Sequence, residues 1–500
     1  MTTRDAPRWA IVLLASAGSA STYGQGDQDP PVPGQIIVRL AAMADIDAFI
    51  TQCEADHPAL NLDLSVAEAI DSASTYLLQF DPSGLSDGQL DQLEDYLQDC
   101  YQGTYLSWGG FAYLAQAPEG DTGSIWFYVD TNGPDLFPAQ FAASTLGLGE
   151  AHLASTGRGT VVAVLDTGID ATHPQLQGRV LAGGYNFVDG NFNTADVGNG
   201  ADDDGDGLVD ELVGHGTFVA SLIALVAPDA RILPVRVLNS DGVGSDWSVA
   251  RGIHYAIDHG VEVINLSLSS THESEVIEDA IERAAALGIV TVSAAGNFGT
   301  ETPQFPATDS SVLGVAAVDE QDKKASFSSY NHHLTIAAPG ANLNPSNPDP
   351  GHSIIGALPG GSFAMAEGTS FATALVSGGA ALIRAQHPEW PTDAVPASEI
   401  TDEIEDTLEE TSFDLYQDDL NPGFDHDELG EGRMDLASAV AAGPSAPSLG
   451  DLDNDGSVDI ADFLALLADW NLTHSSADLD GDGTVGILDF LILLGNWSSN

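Results

Sequence analysis

The chain has 500 residues and a net charge of −62 at pH 7, from 75 Asp and Glu against 13 Lys and Arg. Such a charge repels polyanions, so nucleic acids and anionic membrane surfaces are excluded as expected partners. Hydrophobic residues make up 43% of the sequence, which is enough for a large core, and the length suits two to four domains. Some of the acidic residues are concentrated in short Asp-Gly runs, which are typical of cation sites.

Residues 1–25 are predicted to form a signal peptide. Arg4 and Arg8 precede a short apolar run at residues 9–17, and small residues follow at 18–20. Nine apolar residues are too few to cross a bilayer, so we expect export and removal of this segment rather than anchoring. The chain is therefore predicted to be a secreted, extracellular protein without a membrane span.

Cys53 and Cys100 are the two cysteines of the chain. In an exported protein such a pair forms either one disulfide or two unpaired core thiols, and the spacing does not decide between these alternatives. Neither cysteine lies in an activating pattern, so a cysteine enzyme is not expected.

Residues 34–125 are predicted to form a small α/β domain, because alternating strand patterns and amphipathic helix patterns follow one another there. The strands are expected at residues 35–40, 76–80 and 111–114, and the helices near 44–55 and 86–98.

Residues 140–442 alternate nearly continuous apolar runs with helical patterns, which indicates a parallel sheet covered by helices on both faces. The strands are predicted at residues 161–165, 232–238, 261–268, 289–294 and 312–318, and crossover helices at 251–259 and 274–287. In such an α/β fold the functional site collects at the carboxyl ends of the strands.

Three motifs in this region carry the residue types of nucleophilic catalysis. Asp166 ends a strand in Asp-Thr-Gly-Ile-Asp, His215 lies in Gly-His-Gly-Thr, and Ser370 lies in Gly-Thr-Ser-Phe-Ala at the start of a helix. A serine hydroxyl becomes a nucleophile when an imidazole accepts its proton and a carboxylate fixes that imidazole. Each motif alone is equally typical of a cap or a loop. Together, in the order Asp, His, Ser, they predict a catalytic triad.

With these motifs in this order, residues 140–442 resemble the subtilisin-like serine proteases, or subtilases, of the peptidase S8 family. The segments 263–269 and 294–297 resemble further family segments. The resemblance implies hydrolysis of peptide bonds through an acyl-enzyme, with the Asn297 amide donating to the oxyanion.

The same resemblance implies how a protein or peptide substrate binds. An extended substrate would pair as an added strand with two edges of the cleft. An open pocket lined by small residues would take an apolar or broad side chain of the residue before the scissile bond. The implied edge residues are Gly242, Gly244, Ser245, Ser267, Leu268 and Ser269, and the implied pocket residues are Ala294, Ala295 and Gly296.

The domain at residues 34–125 resembles a subtilase propeptide, particularly in Pro33-Gly-Gln-Ile-Ile-Val-Arg39. The resemblance implies that this domain assists folding and blocks the cleft until self-cleavage removes it. An ordinary accessory α/β domain is the alternative, and the sequence does not show the cleavage point.

An acidic loop at residues 202–211, between Asp166 and His215, predicts a calcium site that stabilises the domain and takes no part in the chemistry. Carboxylates at alternate positions around glycines can surround one hard cation with oxygen ligands. A solvated acidic loop is the alternative. The predicted ligands are Asp202, Asp204, Asp206 and Asp210, with Glu211 as a further candidate.

After a linker at residues 443–449, residues 450–500 contain one loop-helix motif twice, offset by 27 residues. Each copy follows the spacing of a twelve-residue calcium loop. The predicted calcium ligands are Asp451, Asp453, Asp455, Ser457, Asp459 and Asp462 in the first copy, and Asp478, Asp480, Asp482, Thr484 and Asp489 in the second. This small all-α module resembles a dockerin, which implies a cohesin-like partner on a scaffold or cell surface. A pair of helices stabilised by calcium without a partner is the alternative.

These observations predict a secreted serine endopeptidase with a subtilisin-like α/β fold, preceded by a propeptide and followed by a calcium-binding docking module. A competing hypothesis is a catalytically inactive, calcium-dependent attachment protein built on a protease fold. The intact triad and Asn297 argue against it.

Overall fold

The computed structural model describes residues 31–500 except 123–126, 130–132, 342–348, 393–394, 418–419, 443–451, 453–457, 459, 471–476, 478, 480–484 and 496–500. The predicted signal peptide and linker lie outside the described residues, and all structural statements below concern the described part of the chain.

Residues 31–122, called the N-terminal unit below, form an antiparallel sheet with strand order β2-β3-β1-β4. Its elements are β1 (Pro31–Leu40), α1 (Ile46–Asp56), β2 (Ser65–Ile70), β3 (Thr75–Gln79), α2 (Asp87–Asp95), β4 (Leu106–Gln116) and α3 (Pro118–Thr122). Ile36 and Val38 of β1 pack with Phe49 of α1 and Leu93 of α2 in one buried cluster. Ile37 lies between them, points to the opposite face and is buried in an apolar cluster with side chains from residues 140–442, so both faces of β1 are covered. The sequence pattern does not predict strand β2, because five of its six residues are exposed.

Cys53 lies in this cluster as a buried free thiol. Burial raises the pKa of the thiol to about 11, so it stays protonated at neutral pH. The side chain of Cys100 lies outside the described part of the structure.

The larger domain is built on a parallel sheet of seven described strands in the order β13-β12-β11-β10-β6-β8-β7. The predicted parallel α/β arrangement is therefore confirmed, and the five predicted strands are present with ends shifted by at most two residues. In chain order the elements are β5 (Phe127–Val129), α4 (Gly133–Leu136), α5 (Phe141–Thr145), α6 (Leu148–Ala154), β6 (Val161–Asp166), β7 (Tyr185–Asn186), α7 (His215–Val226), β8 (Arg231–Arg236), β9 (Val243–Ser245), α8 (Asp246–Asp258), β10 (Val263–Leu266), α9 (Glu275–Ala286), β11 (Val290–Ala294), β12 (Val312–Val318), β13 (Ile336–Pro339), β14 (Ile354–Leu358), β15 (Ser362–Ala366), α10 (Thr369–Gln386), α11 (Ile400–Glu410) and α12 (Leu436–Ala442).

Separate apolar clusters cover the two faces of this sheet, as the alternation along β6 shows. Val162 and Val164 belong to the cluster that contains α7 and α10, whereas Ala163 and Leu165 belong to the cluster that contains α8 and α9. Successive side chains of a strand point to opposite faces, so β6 is buried on both sides and its carboxyl end at Asp166 is held firmly by the core.

The N-terminal unit continues into the larger domain through a strand pairing. β4 pairs antiparallel with β9, with Leu114 opposite Ser245 and Gln116 opposite Val243. β9 thus becomes the fifth strand of the N-terminal sheet, and the end of β4 lies along the edge of the larger domain.

The C-terminal repeats contain the two predicted helices, α13 (Ile460–Ala468) and α14 (Ile487–Gly495). Leu466 and Leu493, at equivalent positions of the two copies, are fully buried in one small core. The rings of Phe463 and Phe490 are also equivalent, and their centroids lie 5.3 Å apart. The duplication in the sequence therefore corresponds to a pair of helices that share one core.

Candidate active site

The three motif residues lie at the ends of regular elements of the larger domain. Asp166 is the last residue of β6, His215 is the first residue of α7, and Ser370 is the second residue of α10. Gly214, which precedes His215, has a φ of 105°, a conformation that strongly favours glycine. All three functional side chains are fully buried, so their positions are fixed by the packing of the elements that carry them.

Asp166 and His215 are directly hydrogen-bonded, with 2.8 Å between His215 Nδ1 and Asp166 Oδ1. The same carboxylate oxygen accepts the backbone N–H of Thr167 at 2.7 Å. Because Nδ1 of the imidazole faces a carboxylate, Nε2 is the nitrogen that is left to exchange a proton.

A carboxylate from the N-terminal unit lies between the imidazole and the serine. Glu119 Oε2 accepts the Ser370 hydroxyl at 2.6 Å and lies 3.1 Å from His215 Nε2. His215 and Ser370 thus face one common atom. Nothing in the sequence around Glu119 singles it out, because its contacts depend on a partner 251 residues away.

The pKa values of His215 and Glu119 are set by burial and by the charges that the two side chains contact. Burial opposes the charged imidazolium, but the carboxylates of Asp166 and Glu119 outweigh that cost and raise the pKa of His215 to about 10. Burial also opposes ionisation of Glu119, yet hydrogen bonds from His215, Ser370 and Asn297 together with the charge of His215 hold the pKa of Glu119 below its usual value. The centre therefore contains an imidazolium between two carboxylates.

Asn297 brings an amide donor to the same carboxylate. Its Nδ2 donates to Glu119 Oε1 at 3.0 Å, while its Oδ1 accepts both the backbone N–H and the hydroxyl of Thr369 at 2.9 Å. These two bonds fix which end of the amide points towards Ser370. The amide is thus oriented to donate to an oxygen that develops negative charge beside the nucleophile.

The two implied substrate edges lie on either side of the end of β4. Gln116 exchanges backbone hydrogen bonds with Ser269, at 3.1 Å and 2.8 Å, and Ala117 N–H donates to Gly242 O at 2.9 Å. Gly244 pairs with Ala115 and Ser245 with Leu114 in the ladder between β4 and β9. A peptide segment of this chain therefore occupies the groove in the extended, paired form that the resemblance implies for substrate.

The remaining implied binding residues lie at the carboxyl ends of β10 and β11. Ser267 Oγ donates to the backbone oxygen of Ser370 at 3.0 Å, and Leu268 is fully buried. Ala294 ends β11, and Ala295 and Gly296 follow it directly before Asn297. These pocket residues are small and buried.

The acidic loop brings its carboxylates together in two groups. Ligand oxygens of Asp202, Asp204 and Asp206 lie within 4.8 Å of one another, and so do those of Asp204, Glu211 and Asp241. Burial and the neighbouring carboxylates of Asp241, Asp204 and Asp206 raise the pKa of Glu211 to about 8. Such mutual repulsion fits a site for a hard divalent cation, which takes carboxylate oxygens as ligands.

Two details of this loop differ from the sequence-based ligand set. Asp210 belongs to neither group, because its Oδ1 accepts the backbone N–H of Asn199 at 2.8 Å and its side chain turns towards that segment. Asp241 joins the second group although it lies outside the acidic run. It is 1% exposed and accepts the backbone N–H of Asp210 at 2.6 Å.

In the C-terminal repeats the structure describes the last predicted ligand of each loop. Asp462 accepts the Leu452 N–H at 2.5 Å, and Asp489 accepts the Leu479 N–H at 2.6 Å. Both carboxylates are buried and close their loops in the same way. The other predicted ligands lie outside the described residues, namely Asp451, Asp453, Asp455, Ser457, Asp459, Asp478, Asp480, Asp482 and Thr484.

Comparison with known proteins places this geometry in a family. The model of the subtilase family (peptidase S8) matches residues 157–432. Subtilisin BL of Lederbergia lenta is 39% identical over 244 residues, which cover 47% of this chain and 80% of that protein. Thermitase of Thermoactinomyces vulgaris is 36% identical over 281 residues, or 56% of this chain and 92% of thermitase.

Two solved structures resemble the fold. Fervidolysin from Fervidobacterium pennivorans, a keratinolytic enzyme related to subtilisin, superposes with a TM-score of 0.59 and 24% identity, covering 84% of this chain and 62% of fervidolysin. A protease from Pseudoalteromonas arctica superposes with a TM-score of 0.53 and 28% identity, covering 61% of this chain and 97% of that protein. At 24% identity the first likeness supports the fold alone.

Proposed function

Because this chain belongs to the subtilase family and is a serine endopeptidase, we propose that Asp166, His215 and Ser370 are its catalytic triad and that Asn297 completes the oxyanion site. The observation that carries this assignment is the convergence of Ser370 Oγ, His215 Nε2 and Asn297 Nδ2 on a single carboxylate. A nucleophile, a base and an oxyanion donor thus reach one buried point.

In this proposal each group has one task when a substrate carbonyl replaces the carboxylate. Ser370 Oγ attacks the carbonyl carbon while His215 Nε2 accepts the hydroxyl proton, and Asp166 holds Nδ1 and stabilises the imidazolium. Asn297 Nδ2 donates to the developing oxyanion. His215 then gives the proton to the leaving amine, and water repeats the sequence on the acyl-enzyme to release the second product.

The N-terminal unit acts in this proposal as a propeptide that blocks the cleft. The support is the position of residues 114–117, which pair with both edges that the resemblance assigns to substrate. Main-chain pairing of this kind supplies affinity without depending on side chains. Removal of the unit would expose the groove to peptide and protein substrates.

The acidic loop would hold calcium and stabilise the active domain. Asp202, Asp204 and Asp206, or Asp204 with Glu211 and Asp241, would supply the carboxylate oxygens. The loop leads directly into α7, which begins at His215. The ion would offset the repulsion between these carboxylates, and each catalytic proton transfer is assigned to side chains of the triad.

The C-terminal repeats would serve as a calcium-dependent docking module for a cohesin-like partner. The support is a duplicated apolar surface, since Ile460 and Leu464 are 65% and 60% exposed and their equivalents Ile487 and Leu491 are 61% and 54% exposed. Exposed apolar patches of this kind often mark interaction sites. Binding to an immobilised cohesin domain that is lost in Leu464→Asp and Leu491→Asp chains would support this role, and equal retention of both variants would contradict it.

Export is the remaining part of the proposal and depends on the sequence of residues 1–25. In the described part of the chain, no helix has the length and hydropathy of a bilayer span. Amino-terminal sequencing of protein recovered from the culture medium tests this point. Recovery inside the cells with residue 1 intact would contradict secretion.

The proposed chemistry is tested with an internally quenched peptide and the processed protein. We expect hydrolysis that is abolished by a fluorophosphonate and by Ser370→Ala, and that persists during brief treatment with a metal chelator. Immediate loss of hydrolysis with the chelator, together with resistance to the fluorophosphonate, would identify a catalytic metal instead. Absence of hydrolysis in the processed wild type would favour the inactive attachment protein.

A further inference from the structure

The end of β4 follows a substrate-like path and then leaves it abruptly. Backbone pairing continues as far as Ala117, whose N–H donates to Gly242 O. The next residue, Pro118, has no N–H to extend the ladder and begins the short helix α3. Gly120 N–H donates back to Ala117 O at 3.0 Å, so the main chain turns at the point where a scissile bond would be expected.

The Glu119 side chain enters the catalytic centre in place of the main chain. Glu119 is 2% exposed, and each of its carboxylate oxygens has a distinct place. Oε1 accepts from Asn297 Nδ2, whereas Oε2 accepts from Ser370 Oγ and lies beside His215 Nε2. Hydrolysis of an acyl-enzyme leaves a carboxylate with this same division, one oxygen at the oxyanion donor and the other between serine and histidine.

The backbone around the nucleophile is shaped to admit this group. A Cβ built on Gly368 would lie 1.8 Å from Glu119 Oε1, so a side chain at this position is incompatible with the bound carboxylate. Gly368 lies two residues before Ser370. The cradle for Oε1 therefore consists of the Asn297 amide on one side and bare backbone on the other.

We propose that the catalytic centre is a carboxylate-binding site and that Glu119 fills it as an internal product mimic, which keeps the intact chain latent. This proposal rests on the proposed triad. A side-chain carboxylate has no leaving group that Ser370 could displace, so it cannot acylate the serine. Its negative charge also matches hydrogen-bond donors that are arranged for an oxyanion. In processed molecules the same site would take the C-terminal carboxylate of a cleaved peptide.

The test compares the full-length wild type with Glu119→Ala, Glu119→Gln and the control Glu54→Gln. Glu54 lies on α1 and its Oε1 accepts the Leu64 N–H at 2.8 Å, a bond that glutamine can keep. Each chain is treated with a fluorophosphonate at neutral pH, and the label on the intact band is followed with time on a gel. Processed molecules migrate separately and are scored apart.

We expect intact Glu119→Ala to be labelled faster than wild type by about tenfold or more, because hydrogen bonds to a buried charge are lost. Glu119→Gln should fall between them, since it keeps the shape and loses the charge, and Glu54→Gln should match wild type. Equal rates for wild type and Glu119→Ala overturn the proposal. If Glu119→Ala does not fold, equal rates for wild type and the isosteric Glu119→Gln overturn it.

Chemical rescue tests the class of ligand directly. Truncation to alanine leaves room for a small carboxylate, so excess sodium acetate should slow the labelling of intact Glu119→Ala, whereas acetamide should not. Equal effects of acetate and acetamide contradict a carboxylate site. Failure of every chain to be labelled, processed wild type included, contradicts the proposed triad and this proposal with it.

Discussion

The larger domain and the N-terminal unit meet at the same active site but are held there by different forces. In the larger domain Asp166, His215 and Ser370 are fully buried, Asp166 at the end of a central strand and the other two at the starts of helices that pack on one face of the sheet. The N-terminal unit contacts the larger domain through main-chain pairing with both edges of the groove, through Glu119 and through polar contacts. Apolar side chains of the unit, among them Ile37 and Leu77, are also buried in the cluster that contains α8 and α9. The proposed catalytic geometry is thus part of the fold of the larger domain, whereas the proposed latency would depend on the interface between the two regions.

Several polar contacts of that interface lie at its rim, although the Tyr113 N–H donates to the buried Asp246 carboxylate at 3.1 Å. Arg39 and Arg251 form ion pairs with Asp279 and Glu68 across the boundary, and Trp108 Nε1 donates to Asp279 at 2.6 Å. The paired side chains are partly exposed, and exposed pairs contribute about 0–1 kcal/mol each. The apolar packing, the strand pairing and Glu119 are therefore expected to contribute more than these ion pairs to holding the N-terminal unit in place.

The largest expected effect comes from removing the base. His215→Ala in the processed enzyme should lower kcat by about 10⁶-fold, the magnitude known for loss of the catalytic histidine in subtilisin itself. The measurement is steady-state hydrolysis of the quenched peptide. A residual rate within tenfold of wild type would show that the buried Asp166–His215 pair is structural.

The next largest effect concerns the oxyanion donor. Asn297→Ala should lower kcat by about 10²–10³-fold with little change in KM, again a magnitude known from subtilisin. The Asn297 side chain also accepts two hydrogen bonds from Thr369, so its replacement removes these as well. Thr369→Val, which removes the hydroxyl bond and leaves the Asn297 amide in place, serves as the matched control. An unchanged kcat in Asn297→Ala would place the oxyanion elsewhere.

Calcium removal should affect stability rather than chemistry. If free calcium is about 100 times the dissociation constant, chelation costs about 2.7 kcal/mol, which corresponds to a fall in Tm of about 5–10 °C. Differential scanning calorimetry of the processed enzyme with and without EDTA measures this shift. Asp204→Asn, which removes a carboxylate common to both groups, should reduce the response to EDTA, and an undiminished response in that variant would place the ion elsewhere.

The contact between the two regions should also weaken as pH rises. In the closed state, in which the N-terminal unit occupies the groove, the pKa of His215 is raised to about 10. The imidazolium therefore stabilises the closed state fully below the pKa that His215 has in the open state, and this stabilisation is lost as pH rises through the closed-state pKa. Asp166 and Glu119 are the carboxylates that contact His215, and Asp196 lies near Asp166. Intact wild type should therefore be labelled increasingly between pH 7 and 10.

The matched variant separates this effect from ordinary deprotonation of the base. In Glu119→Ala one of the two carboxylates facing His215 is absent, so the midpoint of labelling against pH should fall by about one unit or more. Identical midpoints for the intact wild type and Glu119→Ala would show that Glu119 does not contribute to the closed state.

The smallest effect is expected at the rim. Arg251→Ala removes the pair with Glu68 and should speed labelling of the intact chain by less than about fivefold, and added salt should produce a similar change in wild type. A change as large as that of Glu119→Ala would mean that a rim charge contributes as much as the carboxylate at the centre to holding the N-terminal unit in place.

The fold of the larger domain can be predicted from the sequence because buried parallel strands produce continuous apolar runs, as β6 and β12 do. The proposed triad can be recognised in the sequence because its three motifs each combine a candidate functional residue with glycine or a strand end. Strand β2 cannot, since its side chains are exposed and carry no alternating pattern.

Glu119 and Asp241 escape prediction for a different reason. Glu119 follows a strand in an ordinary Pro-Glu-Gly segment, and Asp241 lies in a turn outside the acidic run. Each acquires its place from the tertiary fold, through contacts with Ser370 and with Glu211 respectively. Local patterns reveal groups that belong to a motif, whereas these two residues act on motifs contributed by distant parts of the chain.

The most direct test of the central assignment is to locate the covalent label in the processed enzyme. After reaction with a fluorophosphonate, peptide mass spectrometry should find the added phosphonyl group on Ser370, with one label per molecule and complete loss of peptide hydrolysis. Full hydrolysis with Ser370 unmodified, or inactivation through a label at another residue, would contradict the assignment.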